Sequence, residues 1–461
     1  MQIDCSRLPR VPICRFSQPA DVYPVLAGEG GASVVSASKI PPPSFETLAS
    51  GIRIVTQQIP MFNSCALNVW FDTGGADEDP DIGGISHFNE HIVFKGTQNR
   101  TCYEISMQSE EIGAALNAFT GDEYTCFHAR GLGEHSLILM EILLDMVSNP
   151  RLDPADIEME KKVVLNEISK YKDDPEARVQ DLITEVMFSK HPYGRPVLGT
   201  ASTVTSLNKD VLQAHLDRLY VPKNMIVSVS GNFNPDDIAR VVKQFAPSNR
   251  TGIEKAPVPA LEITPNIVIE NKDIEQAHFV FATKGTSVYD EDRYVLALLG
   301  MALGTGMSSR FFQEIREKRG MVYTVHSGVS PLRKGGLFHV YGACDPPSNV
   351  LEAVKLIIEE LDKVKREGLT ERELNKARTL LRSQMVLKQE STPMIAQGNG
   401  KQYLYYGKYI SPEEIEAILN SITNEKIIKV ANRFFDPKYY TLAIVGPVSK
   451  LPKASDFNLG R

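Results

Sequence analysis

The sequence predicts an α+β fold made of two copies of one α/β-sandwich-type domain, each a mainly antiparallel sheet with helices on one face. Three observations predict it. The chain has 461 residues, too many for one ordinary core and well suited to two domains. HLDRLYVPKNMIVSVSG at 215–231 matches VANRFFDPKYYTLAIVG at 430–446, with Pro222 opposite Pro437 and Gly231 opposite Gly446, both 215 residues apart. Ser206-Leu207-Asn208 stands opposite Ser421-Ile422-Thr423 at the same offset, so a duplicated unit is the economical reading. Finally, short alternating apolar runs are interleaved with long amphipathic ones.

In the first copy, residues 46–250, GIRIVTQQIP and CALNVWFDTG alternate as the strands of a hairpin would. A helical stretch with HFNEH follows, then ALNAFTGDEYTCFHARG as a further strand pair. Segments 134–149 and 154–171 are amphipathic, and Asp153-Pro154 suits the start of the second, with Pro just inside the helix. MIVSVSGNF reads as a buried strand ending on Gly231. The stretch 246–266 has linker composition, which sets the linker at 251–264 and the second copy at 265–461. Only the first copy carries HFNEH. One copy is therefore equipped for chemistry, and the other contributes shape.

Composition excludes several classes. A formal charge of -7 argues against a nucleic-acid partner, which needs a basic face. No apolar run approaches the roughly 20 residues that span a bilayer. The six cysteines (Cys5, Cys14, Cys65, Cys102, Cys126, Cys344) lack CxxC spacing and read as buried free thiols of a reducing compartment. Residues 1–45 form a tail or targeting segment. Arg7, Arg10 and Arg15 stand early in it against the single acid Asp4, as in organellar transit peptides, and Arg15-Phe16-Ser17 resembles a presequence cleavage step. Pro9, Pro12, Asp21, Glu29 and the PPP at 41–43 weaken a helical reading of it.

HFNEH places His87 and His91 four residues apart, so on a helix both imidazoles project from one face. Two neutral imidazoles so arranged make half of a tetrahedral zinc site. Glu90 lies on nearly the same side, near enough to take a proton from water without being a ligand, in the H-x-x-E-H order of the inverted zincins. A catalytic zinc keeps three protein ligands and one open position. Within IEMEKKVVLNEISKY, Glu160 and Glu167 stand two helical turns apart on one face, and Val163, Val164 and Ile168 bury that helix. Periodicity allows either glutamate as the third ligand.

GGISHFNEHIVFKGT closely resembles the motif region of the M16 peptidases, the pitrilysin-like group that includes mitochondrial processing peptidase β subunits and compact bacterial homologues. The resemblance runs over roughly residues 46–450. It implies a two-domain LuxS/MPP-like fold, one Zn2+ per chain, Glu167 as third ligand, and Glu160 as a support that orients the site. Glu90 would accept a proton from the attacking water and deliver it to the leaving amine. GAALNAFTGDEYT resembles the family's substrate strand, so Asn117 and Ala118 would hold peptide backbone by β-augmentation; Glu123 also matches a family position. In SSRFFQEIREKRGMVYTVHSG, Arg316 and Tyr323 match the Arg and Tyr that the second domain presents to substrate. Tyr323 would donate to the substrate or to the oxyanion.

Several departures matter. Asn89 replaces an apolar residue, and GGADED replaces the family's frequent Gly-Ser-Arg. Mitochondrial β subunits carry an acidic pair credited with reading a substrate arginine; the corresponding positions here are Ala177 and Asp181, so half of that reader is missing. LGTGMSSR lacks the long glycine-rich loop of the noncatalytic α subunit.

The resemblance implies a zinc metalloendopeptidase that cleaves extended, unfolded peptides inside a chamber, with N-terminal targeting presequences as one substrate class. Two alternatives stand beside it: a bacterial-type oligopeptidase without presequence specificity, and a structural core subunit of a respiratory bc1 complex. Two domains make half of a four-domain chamber, so a homodimer, or a heterodimer with an α-like subunit, is expected. The implied location is the mitochondrial matrix or a related organelle, with the bacterial cytoplasm as the alternative.

Overall fold

The computed structural model describes residues 40–245, 250 and 252–460. Most of the expected targeting segment, with Cys5, Cys14 and the Arg15-Phe16-Ser17 step, lies outside the described residues. The first sheet uses β1 (Ser44–Thr47), β2 (Arg53–Gln58), β3 (Ser64–Phe71), β4 (Ala115–Thr120), β5 (Thr125–Leu132) and β6 (Met225–Gly231) in the order β1-β2-β6-β3-β5-β4. It thus begins at Ser44, two residues ahead of the expected boundary. The second uses β7 (Ile267–Asn271), β8 (Ala277–Gly285), β9 (Val322–Leu332), β10 (Gly335–Cys344) and β11 (Thr441–Gly446) in the order β7-β11-β8-β10-β9. In each sheet one pair is parallel, β2 with β6 and β7 with β11, and the other pairs are antiparallel. Apart from β1, the two sheets have the same strand order, which is the structural form of the sequence repeat.

The expected hairpin of β2 and β3 does not form. β6 lies between them, parallel to β2 (Arg53 opposite Ile226) and antiparallel to β3 (Phe71 opposite Met225). All seven residues of β6 are buried, and a strand buried on both faces belongs in the middle of a sheet. Alternation marks β2 and β3 as strands and carries no information about the neighbour.

The helices of the first half are α1 (Ile85–Ile92), α2 (Cys102–Glu111), α3 (Ser136–Ser148), α4 (Pro154–Asp173), α5 (Pro175–Met187), α6 (Ala201–Ser206), α7 (Lys209–Leu219) and α8 (Pro235–Phe245). α4 starts where the sequence suggested, with Pro154 at its first position and the Asp153 carboxylate accepting the Ala155 N–H. The second half has α9 (Arg293–Gly304), α10 (Val350–Glu367), α11 (Glu371–Lys388), α12 (Thr392–Tyr406), α13 (Pro412–Ser421) and α14 (Asn424–Phe434). Residues 252–266 between the halves carry no regular structure. No described helix is long and apolar enough to cross a membrane.

Each sheet has its own helices on one face. The opposite face of each is covered by a helix lent from the other half. α5 packs on β8 and β11, and α12 packs on β2, β3 and β6. Val179, Ile183 and Met187 join Val280, Ala443 and Val445 in one cluster, while Tyr403, Leu404 and Tyr405 join Val55, Trp70 and Ile226 in another. The polar positions of MIVSVSG fit this exchange: the Ser228 and Ser230 hydroxyls donate to the carbonyls of Ala396 (2.7 Å) and Thr392 (2.6 Å).

Gly400 is where α12 comes closest. A Cβ there would stand 2.3 Å from Trp70 Nε1, whereas one on Gly398 would meet nothing within 4 Å. Gly400→Val is expected to destabilise the fold by about 1–3 kcal/mol through overpacking. Gly398→Ala gains about 0.8–1.0 kcal/mol of helix propensity. Urea denaturation midpoints separate the two, and equal midpoints would contradict the close packing.

Burial depresses several histidines, His215 and His339 furthest: each is pushed down to about 3 by desolvation, with the Arg218 charge and His326 adding to it. Both bind a proton more readily unfolded than folded. Their contribution to stability is complete above about pH 6.5 and falls as pH drops below it, by up to about 1.4 kcal/mol per pH unit for each group. Other buried groups also titrate between pH 7.5 and 5.5, so the check is a difference: the change in unfolding free energy across that range should shift by about 1.4 kcal/mol in His215→Asn, and an unchanged difference would contradict the burial. Cys65, Cys126 and Cys344 are buried free thiols, Cys65 raised by burial to about 11 and Cys344 to about 12. Cys102 departs from expectation: it opens α2 at a cavity wall and is half-buried.

Candidate metal centre

α1 is a short helix with all eight residues buried, and it lies against α4. His87 Nε2 and His91 Nε2 are 3.2 Å apart. Glu167 Oε2, from α4, is 3.3 Å from His91 Nε2 and 3.7 Å from His87 Nε2. Among the described residues, these three form a group whose donor atoms all lie within 4.8 Å of one another. Zinc bonds of about 2.0–2.1 Å at tetrahedral angles separate ligand atoms by about 3.3–3.4 Å, so the spacing fits one shared cation. The tautomers agree. The Glu160 carboxylate can only accept, so His91 Nδ1, 2.7 Å from its Oε1, carries the proton. His91 Nε2 is left with its lone pair turned toward the other donors.

The two glutamates of α4 therefore separate. Glu167 reaches the shared centre and keeps 23% of its side chain exposed, while Glu160 is fully buried behind His91. Glu160 Oε2 also lies 2.6 Å from the Lys95 ammonium. Burial pushes the Glu160 carboxyl up, but the His91 hydrogen bond and Lys95 together hold it below the usual range.

Two further residues fix α1 and its Glu90 side chain. The helix has no side-chain cap of its own; Gly84 stands before it at φ +92°, a left-handed conformation that suits glycine. Glu78 takes over: its carboxylate accepts the N–H groups of Gly84 (2.7 Å) and Ser86 (2.8 Å). Burial raises Glu78 to about 7 against the pull of those bonds. Glu90, 6% exposed, accepts a 2.6 Å hydrogen bond from the Thr120 hydroxyl at the end of β4. Sequence spacing points to neither partner. Glu78 lies too far before α1 to be an ordinary cap, and Thr120 meets Glu90 only through the fold.

β4 is an outer strand of its sheet. Asn117 Oδ1 accepts the Ala118 N–H at 2.9 Å, so that amide is tied to a side chain and not to β5. An incoming extended peptide could exchange with this local bond. In the second half, Arg316 and Tyr323 come together: the Arg316 guanidinium lies 5.6 Å from the Tyr323 ring centre and 4.7 Å from that of Phe312. Tyr323, near the start of outer strand β9, is 71% exposed. Asp181 on α5 lines a cavity with Lys172, Arg178, Glu185 and Glu270. Glu123 has no open surface to offer a substrate; it is buried among partners from three elements.

Fold and donor set together define a duplicated α+β chain whose first copy holds, among the described residues, an inverted-zincin-type donor set. The model of the family described as Insulinase (Peptidase family M16) matches residues 53–201, which hold all three donors, and that described as Peptidase M16 inactive domain matches residues 206–381. An uncharacterized zinc protease of Bacillus subtilis is 36% identical over 411 residues, covering 88% of this chain and 98% of that one. One of Streptomyces coelicolor is 34% identical over 413 residues, covering 87% and 89%. A solved protease from Helicobacter pylori shares the fold, with a TM-score of 0.81 at 20% identity over 89% of this chain and 100% of that one. The chain belongs to the M16 peptidase family.

Proposed function

We propose that the chain is a zinc metalloendopeptidase of the bacterial type, cleaving extended, unfolded peptides without a requirement for a targeting presequence. The observation that carries it is the converging trio of His87, His91 and Glu167 beside Glu90. Bound zinc would supply a Lewis acid and lower the pKa of water toward about 7. Glu90 takes the proton from the attacking water and passes it to the leaving amine. Glu160 and Lys95 hold the His91 ring in its ligating tautomer. Asn117 and Ala118 bind substrate backbone along β4, and Arg316 and Tyr323 belong to the surface that meets the substrate from the second half.

Two observations favour the bacterial-type reading over presequence processing. Relatives that share its sequence over most of its length are bacterial proteins named as zinc proteases. The other acids of the Asp181 cavity, Glu185 and Glu270, are already paired with Arg178, and Ala177 supplies no second acid for an incoming arginine. The same relatives lend no support to a mitochondrial location. An intact donor set speaks against a purely structural subunit of a respiratory complex. The proposed working unit is a pair of chains closing a chamber; light scattering that found an active monomer would contradict this. Mass-spectrometric mapping of cuts in an unstructured peptide library, with and without arginine near the bond, tests specificity. Cleavage confined to arginine-containing peptides would restore the presequence reading, and no cleavage by any zinc-loaded form would end the enzymatic one.

A further inference from the structure

The β4–β5 turn joins two contacts that have no evident reason to be neighbours. At one end, the Thr120 hydroxyl donates to Glu90 Oε2 at 2.6 Å, with Thr120 only 2% exposed. Three residues on, the Glu123 carboxylate is buried at 3% exposure and saturated by donors. Its Oε1 accepts from the Tyr193 hydroxyl (2.5 Å) and the Arg333 N–H (2.9 Å), and its Oε2 from the Tyr405 hydroxyl (2.9 Å). Arg333 sits in the β9–β10 turn and Tyr405 on α12, so two of the three donors come from the second half.

The stretch between these contacts is rigid. Gly121 N–H donates to the Tyr124 carbonyl at 2.8 Å, closing the turn. The turn then lies on the backbone of the 74–76 segment: Gly75 N–H donates to the Gly121 carbonyl (3.1 Å) and Ala76 N–H to the Asp122 carbonyl (2.8 Å). A Cβ on Gly74 would stand 2.3 Å from the Gly121 carbonyl oxygen, so only glycine permits this approach. A buried carboxylate is costly unless its hydrogen bonds are satisfied, and Glu123 meets that condition only while the second half is docked.

We propose that Thr120 and Glu123 are positioning residues: the second half, gripping Glu123, fixes the turn, and the turn holds the Thr120 hydroxyl against the Glu90 carboxylate. The copy without a metal motif thereby sets the orientation of the base in the other copy. This rests on Glu90 acting as the base of the proposed peptidase.

The test uses Thr120→Val, which keeps the shape and removes the hydroxyl, and Thr120→Ser, which restores it, in the full zinc-loaded chain. Thr120→Val is expected to lower kcat by about 10- to 100-fold with KM and zinc content unchanged, and Thr120→Ser to recover most of the loss. Tyr405→Phe is expected to lower kcat in the same way but less. Unchanged kcat in Thr120→Val, a loss seen only in KM or zinc content, or a serine variant as poor as the valine one would each overturn the proposal. A crystal structure of zinc-loaded Thr120→Val decides independently of turnover: a displaced Glu90 carboxylate supports the proposal and an unmoved one overturns it. A wild type that binds zinc but cleaves nothing would sink the peptidase reading, and this crystallographic comparison would still judge the strut.

Discussion

Glu90→Gln is expected to keep its zinc while losing about 10²- to 10⁴-fold in kcat, the usual worth of a positioned proton-transfer group. In barrier terms that is roughly 3–5 kcal/mol. Glutamine has the shape of glutamate, and its carbonyl oxygen can still accept the Thr120 hydroxyl, so the local packing survives. What disappears is the capacity to take a proton from water. The donor atoms of His87, His91 and Glu167 are left as they were, 3.2 to 3.7 Å apart. Elemental analysis for zinc and turnover of a fluorogenic peptide read the two effects separately. Zinc lost together with activity would mean that Glu90 is a ligand or a structural prop.

The second large effect divides the two glutamates of α4. Zinc sites bind with roughly 10–16 kcal/mol shared among about four ligands, so removing one ligand costs roughly 3–4 kcal/mol, or several hundred-fold in affinity. Glu167→Ala is expected to show that loss. Glu160→Ala removes a partner behind His91 and should weaken zinc by about 10- to 100-fold. It also strands the Lys95 ammonium, 2.6 Å from Glu160 in the native protein, so this variant should be the less stable of the two. Chelator competition gives the affinities and thermal denaturation the stabilities. The reverse ranking in affinity would exchange the roles of the two residues.

That pair also marks how far the sequence could be read. His87 and His91 were legible because helical spacing is local, and two residues four apart must share a face. Glu160 and Glu167 share a face by the same rule, so periodicity left both open; the family resemblance chose Glu167. The structural difference between them lies in how α4 crosses α1, which is tertiary. The duplication was legible from Pro222, Gly231 and their partners 215 residues on. The position of β6 between β2 and β3 was not, because alternation marks a strand and never its neighbour. Glu123 was visible as a matching position without a role, since its partners Arg333 and Tyr405 lie more than two hundred residues away. Glu78 escaped notice for a related reason: it serves a helix that starts several residues later, through a loop whose path only the fold defines.

The exchange of α5 and α12 has a consequence for the chain as a mechanical object. Each half completes the other's core by the same kind of contact, the reciprocity of a two-fold symmetric interface. Pulling the halves apart would uncover both sheets at once, baring Val55, Trp70 and Ile226 on one and Val280, Ala443 and Val445 on the other. The chain is therefore constructed as a symmetric dimer whose subunits share one backbone. A cut within residues 252–266 should leave the two pieces clasped.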